Sequence, residues 1–370
     1  MKILVHRIGS LGDQLVALPS LWALKENFPQ ALLFHLGNKA AGSSRAGGLD
    51  VFEGSGLFQG FFIYPTKPQG GWSLGLAELL WKLRKERFDS VLYLAPSLRT
   101  PSQVKRDKLF FRWAGIRKIW GEDGFPSFPP KQAGQPLPSV PREADLLLNR
   151  LAASGLRVPP AGRGRMELNL GPRDEEALNS LLARLPKDKG LPWIGIAPGS
   201  NMPAKVWPSA RYARTVEKLM EKRPLWPVIL GGSEDRALGA TLIKEWGQGT
   251  NLAGVLPVRA SAFALSRCAL YLGNDTGVMH LAASVGTPCV AVFASIAHPG
   301  KWNPYGPGHR VFRTSLECEG CGLTVCAERN MECVLCIREE EVTQACLEIL
   351  DGLASSRVLS PGLTLTRAEV

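Results

Sequence analysis

The sequence predicts an α/β protein built as two Rossmann-like domains, each with a parallel sheet, facing each other across a cleft. Three observations carry this expectation. Short β-rich runs alternate with helical stretches from residue 3 to residue 114, the same alternation restarts at Trp193, and a polar segment, Pro186-Lys187-Asp188-Lys189-Gly190, precedes the restart. A chain of 370 residues is long enough for two domains of ordinary size, whereas a single core would be stretched.

Taken in order, Ile3-Leu4-Val5 reads as a buried parallel strand, Gly9-Ser10-Leu11-Gly12-Asp13 as a loop, and Leu15, Leu18, Leu21, Trp22 and Leu24 as one face of a helix. Strands are expected at 31–35, 61–64 and 91–95, and helices at 74–87 and 103–114. Residues 121–141, rich in Pro and Gly, read as a loop, and helices at 143–153 and 173–185 lead to the linker. The second series reads as strand 194–197, helix 209–222, strand 227–230, a helix from Glu234, a short segment 251–254 and helix 260–267. Strand 270–274, helix 278–285 and strand 289–293 complete it. The domain organisation expected is 1–186, then 187–345 with a Cys-rich segment at 318–336, then a C-terminal helix and tail, 346–370, loosely held from Arg357 onward.

A content of 45% hydrophobic and 21% charged residues excludes a disordered chain. Met1-Lys2 runs straight into Ile3-Leu4-Val5 and then polar sequence, unlike a secretory leader, and apolar runs such as 289–294 are too short to span a bilayer, so a cytoplasmic location is expected. The formal charge of +11 points to an anionic partner, with nucleic acid, a membrane face and a phosphorylated substrate all open. Between Lys82 and Lys118 stand eleven Lys or Arg against three Asp or Glu, which reads equally as a solvated face and as a binding one.

Three Gly-containing turns sit where a strand meets a helix: Gly9-Ser10-Leu11-Gly12-Asp13, Ala197-Pro198-Gly199-Ser200-Asn201, and Gly273-Asn274-Asp275-Thr276-Gly277. Glycine there permits close backbone approach, and the next helix offers free N–H groups to an anion. None matches G-x-G-x-x-G or the phosphate loop ending in Gly-Lys-Ser/Thr, which argues against a nicotinamide enzyme and a P-loop ATPase. Asp275, Thr276, Gly277 and, one turn on, His280 suit a diphosphate; the alternative is an N-cap with a packed histidine. Lys205 reads as a phosphate partner or a surface lysine, and Glu234 as a ribose acceptor or a helix start.

These motifs together resemble glycosyltransferase family 9, the ADP-heptose:lipopolysaccharide heptosyltransferases. The opening strand with Gly9 to Asp13 and Ala17-Leu18-Pro19 is similar to the family's N-terminal signature. Ala197-Pro198-Gly199-Ser200 with Lys205-Val206-Trp207-Pro208 is similar to its donor-side signature. Leu230-Gly231-Gly232-Ser233-Glu234, Asn251-Leu252-Ala253-Gly254 and Asn274-Asp275-Thr276-Gly277-Val278-Met279-His280 follow in the family's order. The resemblance implies a GT-B fold and inverting transfer of heptose from ADP-heptose to the lipopolysaccharide inner core, with Asp13 as general base. It implies donor contacts from Ser200, Asn201, Lys205, Glu234, Asp275, Thr276, Gly277 and His280, with Leu256 packing on adenine. An anionic glycolipid acceptor at the inner face of the cytoplasmic membrane would meet Gly12, Arg99 and Lys105, with Lys105, Arg106 and Lys108 also available to the membrane surface. Asp13 as an N-cap alone is the plainer alternative.

Cys318, Cys321, Cys326, Cys333 and Cys336 read C-x2-C-x4-C-x6-C-x2-C. Two C-x2-C pairs, Cys318 with Cys321 and Cys333 with Cys336, suit a structural zinc; reduced or paired structural thiols and an iron–sulfur centre stay open. The family's second-heptosyltransferase branch carries a similar segment. No cofactor is expected for catalysis, and no Asp-x-Asp motif occurs. Against this reading stand a family 9 transferase for another nucleotide sugar, a nucleotide-sugar epimerase, and a nucleic-acid-binding protein with a zinc module. The last lacks regularly interleaved aromatics in its basic stretch and a helix-turn-helix, so no nucleic-acid partner is expected.

Overall fold

A computed structural model of the chain describes residues 1–38, 46–64 and 72–358. The first half runs β1 (Lys2–His6), α1 (Leu11–Leu15), α2 (Leu18–Asn27), β2 (Leu32–Asn38), α3 (Gly48–Phe52) and β3 (Gly60–Tyr64). It continues with α4 (Trp72–Glu86), β4 (Ser90–Tyr93), α5 (Pro101–Trp113), β5 (Lys118–Trp120), α6 (Glu143–Ala153) and α7 (Pro172–Leu182). The second half runs β6 (Trp193–Ala197), α8 (Ser209–Lys222), β7 (Trp226–Ile229), α9 (Arg236–Trp246), β8 (Thr250–Asn251) and α10 (Val258–Ser266). It ends with β9 (Cys268–Asn274), α11 (Gly277–Ser284), β10 (Cys289–Phe293), β11 (Arg310–Arg313), α12 (Glu332–Leu335) and α13 (Glu339–Val358).

Both sheets are parallel, ordered β3-β2-β1-β4-β5 and β11-β10-β9-β6-β7-β8. Ile3, Leu4 and Val5 are fully buried because β1 is covered on both faces, the reason an unbroken apolar run marks a central parallel strand. In each sheet the strand order reverses beside the first strand of that half, between β1 and β4 and between β6 and β9. Ligand crevices of open α/β sheets form at the carboxyl ends of such strands. These ends carry the Gly9–Asp13, 198–205 and 275–277 turns.

The Pro- and Gly-rich loop 121–141 has no sheet or helix of its own but is pinned to the second half. Glu319 accepts from Leu137 N–H and Lys131, and Val140 N–H donates to Pro299 O at 2.9 Å. Arg259 on α10 clasps the halves from the other side, pairing with Asp174 of α7 at 2.8 Å and donating to Val51 O and Leu168 O.

The structure departs from the expected elements in several places, the short helices α3 and α12 and the break between α1 and α2 among them. Asp13 lies in the first turn of α1, not in a loop, because its own carboxylate accepts from Ser10 N–H and starts the helix early. Two short edge strands, β5 and β11, carry too few apolar residues to register as strands. The boundary expected at 345/346 cuts α13, whose Val342, Cys346 and Leu350 are buried in the core of the second half. Residues 359–370 of the expected tail lie outside the described residues.

Candidate functional site

The turns after β1 and β9 meet across the cleft at close quarters. A Cβ on Gly12 would come within 3.0 Å of the His280 ring, and one on Gly277 within 2.8 Å of the Leu11 side chain. A side chain at Gly277 would push against Leu11, and one at Gly12 would press on the His280 ring, so glycine at both lets the two helix starts approach closely. Gly9 has φ +140°, a conformation open to glycine, and the Asp13 side chain folds against its α-carbon where any Cβ would collide.

Two adjoining hollows open here. One, about 340 Å³, is lined by Ser10 and Leu11 from the first half and by Gly199, Ser200, Asn201, Glu234, Leu256, Thr276 and Gly277 from the second. The other, about 650 Å³, brings Gly12 and Asp13 together with Ser200, Asn201, Lys205, Asp275, Thr276, Gly277 and His280. The catalytic and donor residues expected from the sequence therefore all line one cleft.

Asp13 is held from behind. Arg7, itself buried, donates from Nε to the Asp13 carbonyl at 2.7 Å and brings Nη2 to 3.5 Å from Oδ1, while Ser10 N–H donates to Oδ2 at 3.0 Å. The carboxylate side chain stays 24% exposed toward the cavity. Lys205 is no surface lysine: its ammonium lies 2.7 Å from Asp275 Oδ2, with both side chains mostly buried. His280 is buried, and burial lowers its pKa to about 4, so the ring is neutral at physiological pH. His280 Nδ1 and Thr276 Oγ1 are buried without a hydrogen-bond partner among the described residues. Unsatisfied polar atoms on a cleft wall are groups that a polar ligand completes.

Arg99 and Lys105 stand elsewhere. They line a separate groove of about 800 Å³ beside α5, and Arg99 is engaged by Asp107 at 3.3 Å. It is the preceding residue, Leu98, that reaches the main cavity.

The cysteine grouping also differs from the expected one. Cys318, Cys321, Cys326 and Cys333 line one small cavity, whereas Cys336 is exposed and outside it. The reason is α12, which turns Cys333 inward and leaves Cys336 at its C-cap. Among the described residues no three His, Cys, Asp or Glu side chains group closely enough to hold a metal ion, so the set Cys318, Cys321, Cys333 and Cys336 does not fit one as placed.

Several residues at the site were given no role from the sequence. Lys301 and Trp302 line the large cavity; Lys301 is buried 3.9 Å from Glu143 and 4.7 Å over the Phe128 ring, and burial lowers its pKa. Asn274 latches the donor loops together: its side chain donates to Pro198 O at 2.8 Å and accepts from Trp207 N–H and the Tyr212 hydroxyl. Asp235 lines the smaller hollow and accepts from Gly232 N–H at 2.9 Å.

Two parallel Rossmann-like sheets with binding turns facing one cleft define the GT-B class of fold. Residues 161–332, a little under half of the chain, match the family model described as Glycosyltransferase family 9 (heptosyltransferase). Over 110 residues the chain is 30% identical to lipopolysaccharide heptosyltransferase 2 of Escherichia coli K12, an alignment covering 28% of this chain and 31% of that protein. It thus spans about a third of the length of the curated relative it matches. Among solved structures, a glycosyl transferase family 9 protein from Veillonella parvula superposes with a TM-score of 0.74 at 20% identity, covering 95% of this chain and 97% of that one. The E. coli ADP-heptose lps heptosyltransferase II gives 0.67 at 20% identity over 96% and 100% of the two chains. Among the described residues no helix is long and apolar enough to cross a membrane.

Proposed function

We propose that this protein is an inverting glycosyltransferase that moves heptose from ADP-heptose to the inner core of a lipopolysaccharide acceptor. The observation that carries the reading is the single cavity in which the Asp13 carboxylate faces Lys205, Asp275, Thr276 and His280. The adenosine occupies the smaller hollow, with Glu234 at the ribose and Leu256 against the base. The diphosphate lies at the start of α11, where free N–H groups, Thr276 and the Lys205 ammonium meet its charge.

In the reaction the acceptor hydroxyl gives its proton to Asp13 while its oxygen bonds to the anomeric carbon. The bond from that carbon to the diphosphate oxygen breaks, and ADP departs with the electron pair. Arg7 and the Ser10 N–H fix the carboxylate for this step. Neutral His280 supplies hydrogen bonding, not charge. Lys301, opposite Asp13, suits an anionic group of the acceptor, a glycolipid held at the inner face of the cytoplasmic membrane. No cofactor enters these steps.

Calorimetric titration with ADP, UDP and GDP tests the donor site. Selective binding of ADP, weakened in a Lys205→Met variant, is the expected result; preference for UDP or no nucleotide binding refutes the reading.

A further inference from the structure

One face of the first half serves neither the cleft nor the core. On α4, Leu79 and Leu83 turn inward and leave Leu74 and Trp81 69% and 61% exposed. On α5, Phe111 turns inward and leaves Leu109 and Trp113 44% and 57% exposed. Arg84 donates to the Trp113 carbonyl at 2.9 Å, which holds the two tryptophan-bearing turns side by side. Exposed indoles and leucines clustered on two adjacent helices mark a contact surface.

The charge around them is mostly positive, with Asp123 the one exposed carboxylate lining the groove that has no ion pair among the described residues. Glu78 is paired with Lys82, Glu122 with Lys108, and Asp107 is turned inward onto Arg99 and Arg106. Lys105 and Arg112, both exposed, have no ion pair among the described residues, and the Lys85 ammonium stands 5.4 Å over the Trp81 ring. The groove beside α5 has Val104, Leu109, Phe125 and Arg99 among its walls, and Leu98, the residue before Arg99, lines the transfer cavity.

We propose that the α4–α5 face seats the protein on an anionic lipid bilayer. Trp81, Trp113 and Leu109 enter the headgroup boundary, where indole rings are favoured, and the neighbouring cations meet lipid phosphates. The mixture of leucines with uncompensated cations matches a bilayer surface better than a nucleic acid, which would leave the leucines unused. The inference rests on the transferase reading only in taking the bilayer as the source of the acceptor.

The test is co-sedimentation with phosphatidylcholine vesicles, with and without about 30% phosphatidylglycerol, for the wild type, Trp81→Glu/Trp113→Glu and Arg112→Glu. The wild type is expected to partition onto the anionic vesicles alone and to be released by salt. Both variants should lose at least about tenfold in partitioning while ADP titration stays unchanged. Equal partitioning onto neutral vesicles, no partitioning by the wild type, or variants that bind like it overturn the proposal. So does light scattering that shows a dimer broken by the same substitutions, which assigns the face to a second copy. A chain that binds vesicles but not ADP removes the transferase reading alone.

Discussion

Two aspartates on facing strand–helix turns, Asp13 and Asp275, have contrasting surroundings. The Asp275 side chain is 7% exposed and closed by the Lys205 ammonium at 2.7 Å. Asp13 is 24% exposed, and its nearest cation, Arg7, lies behind it at 3.5 Å. An ammonium has three protons to donate, so Lys205 still has donors for a diphosphate after meeting Asp275. Asp13 keeps an open side toward the cavity, as a proton acceptor must. The residue type is the same; in the proposed reaction, what each carboxylate is bonded to would separate acceptor chemistry from donor binding.

That contrast breaks in a graded way. Asp13→Ala is expected to do most, lowering kcat by about 10³-fold with ADP affinity preserved, measured by ADP release and by titration. Lys205→Met removes one partner of a mostly buried charged pair and should weaken ADP binding by about 10- to 100-fold, leaving Asp275 uncompensated. Gly277→Ala puts a methyl against Leu11 and should cost about 1–3 kcal/mol in folding stability, read from urea melts, with KM for the donor raised as the turns part.

The remaining test needs no substitution and concerns pH dependence. His6, His35 and His280 are buried, and burial lowers their pKa values to about 4, about 3 and about 4. The unfolded chain therefore binds protons that the native core refuses. Stability is full above the ordinary histidine value of 6.5 and falls as pH drops from there toward 4. The urea midpoint should fall between about pH 7 and about pH 5; a constant midpoint contradicts the burial of neutral rings.

The alternation of apolar runs made both sheets legible, because strands buried on two faces have few sequence alternatives. Two of the turns that line the cleft were legible because their residues lie close together in sequence, from Gly199 to Lys205 and from Asp275 to His280. What escaped depends on partners far apart in the chain. Asn274 acts through Pro198, Trp207 and Tyr212, and Lys301 reaches the cavity only when the 121–141 loop and α6 bring Phe128 and Glu143 beside it. The symmetrical spacing of Cys318, Cys321, Cys333 and Cys336 did not show that Cys326, not Cys336, shares a cavity with the other three, since spacing carries no record of which thiol α12 turns inward. Arg99, expected at the acceptor, lines the separate α5 groove because it pairs with Asp107 on α5, a contact that its sequence position does not reveal.

The most direct measurement sets the two turns side by side: turnover and ADP dissociation constant for Asp13→Asn and Lys205→Met, prepared and assayed together. The account predicts a crossed result, with turnover lost and ADP binding intact in Asp13→Asn, and ADP binding weakened in Lys205→Met. An Asp13→Asn enzyme that turns over like the wild type, or that loses ADP as Lys205→Met does, would contradict it.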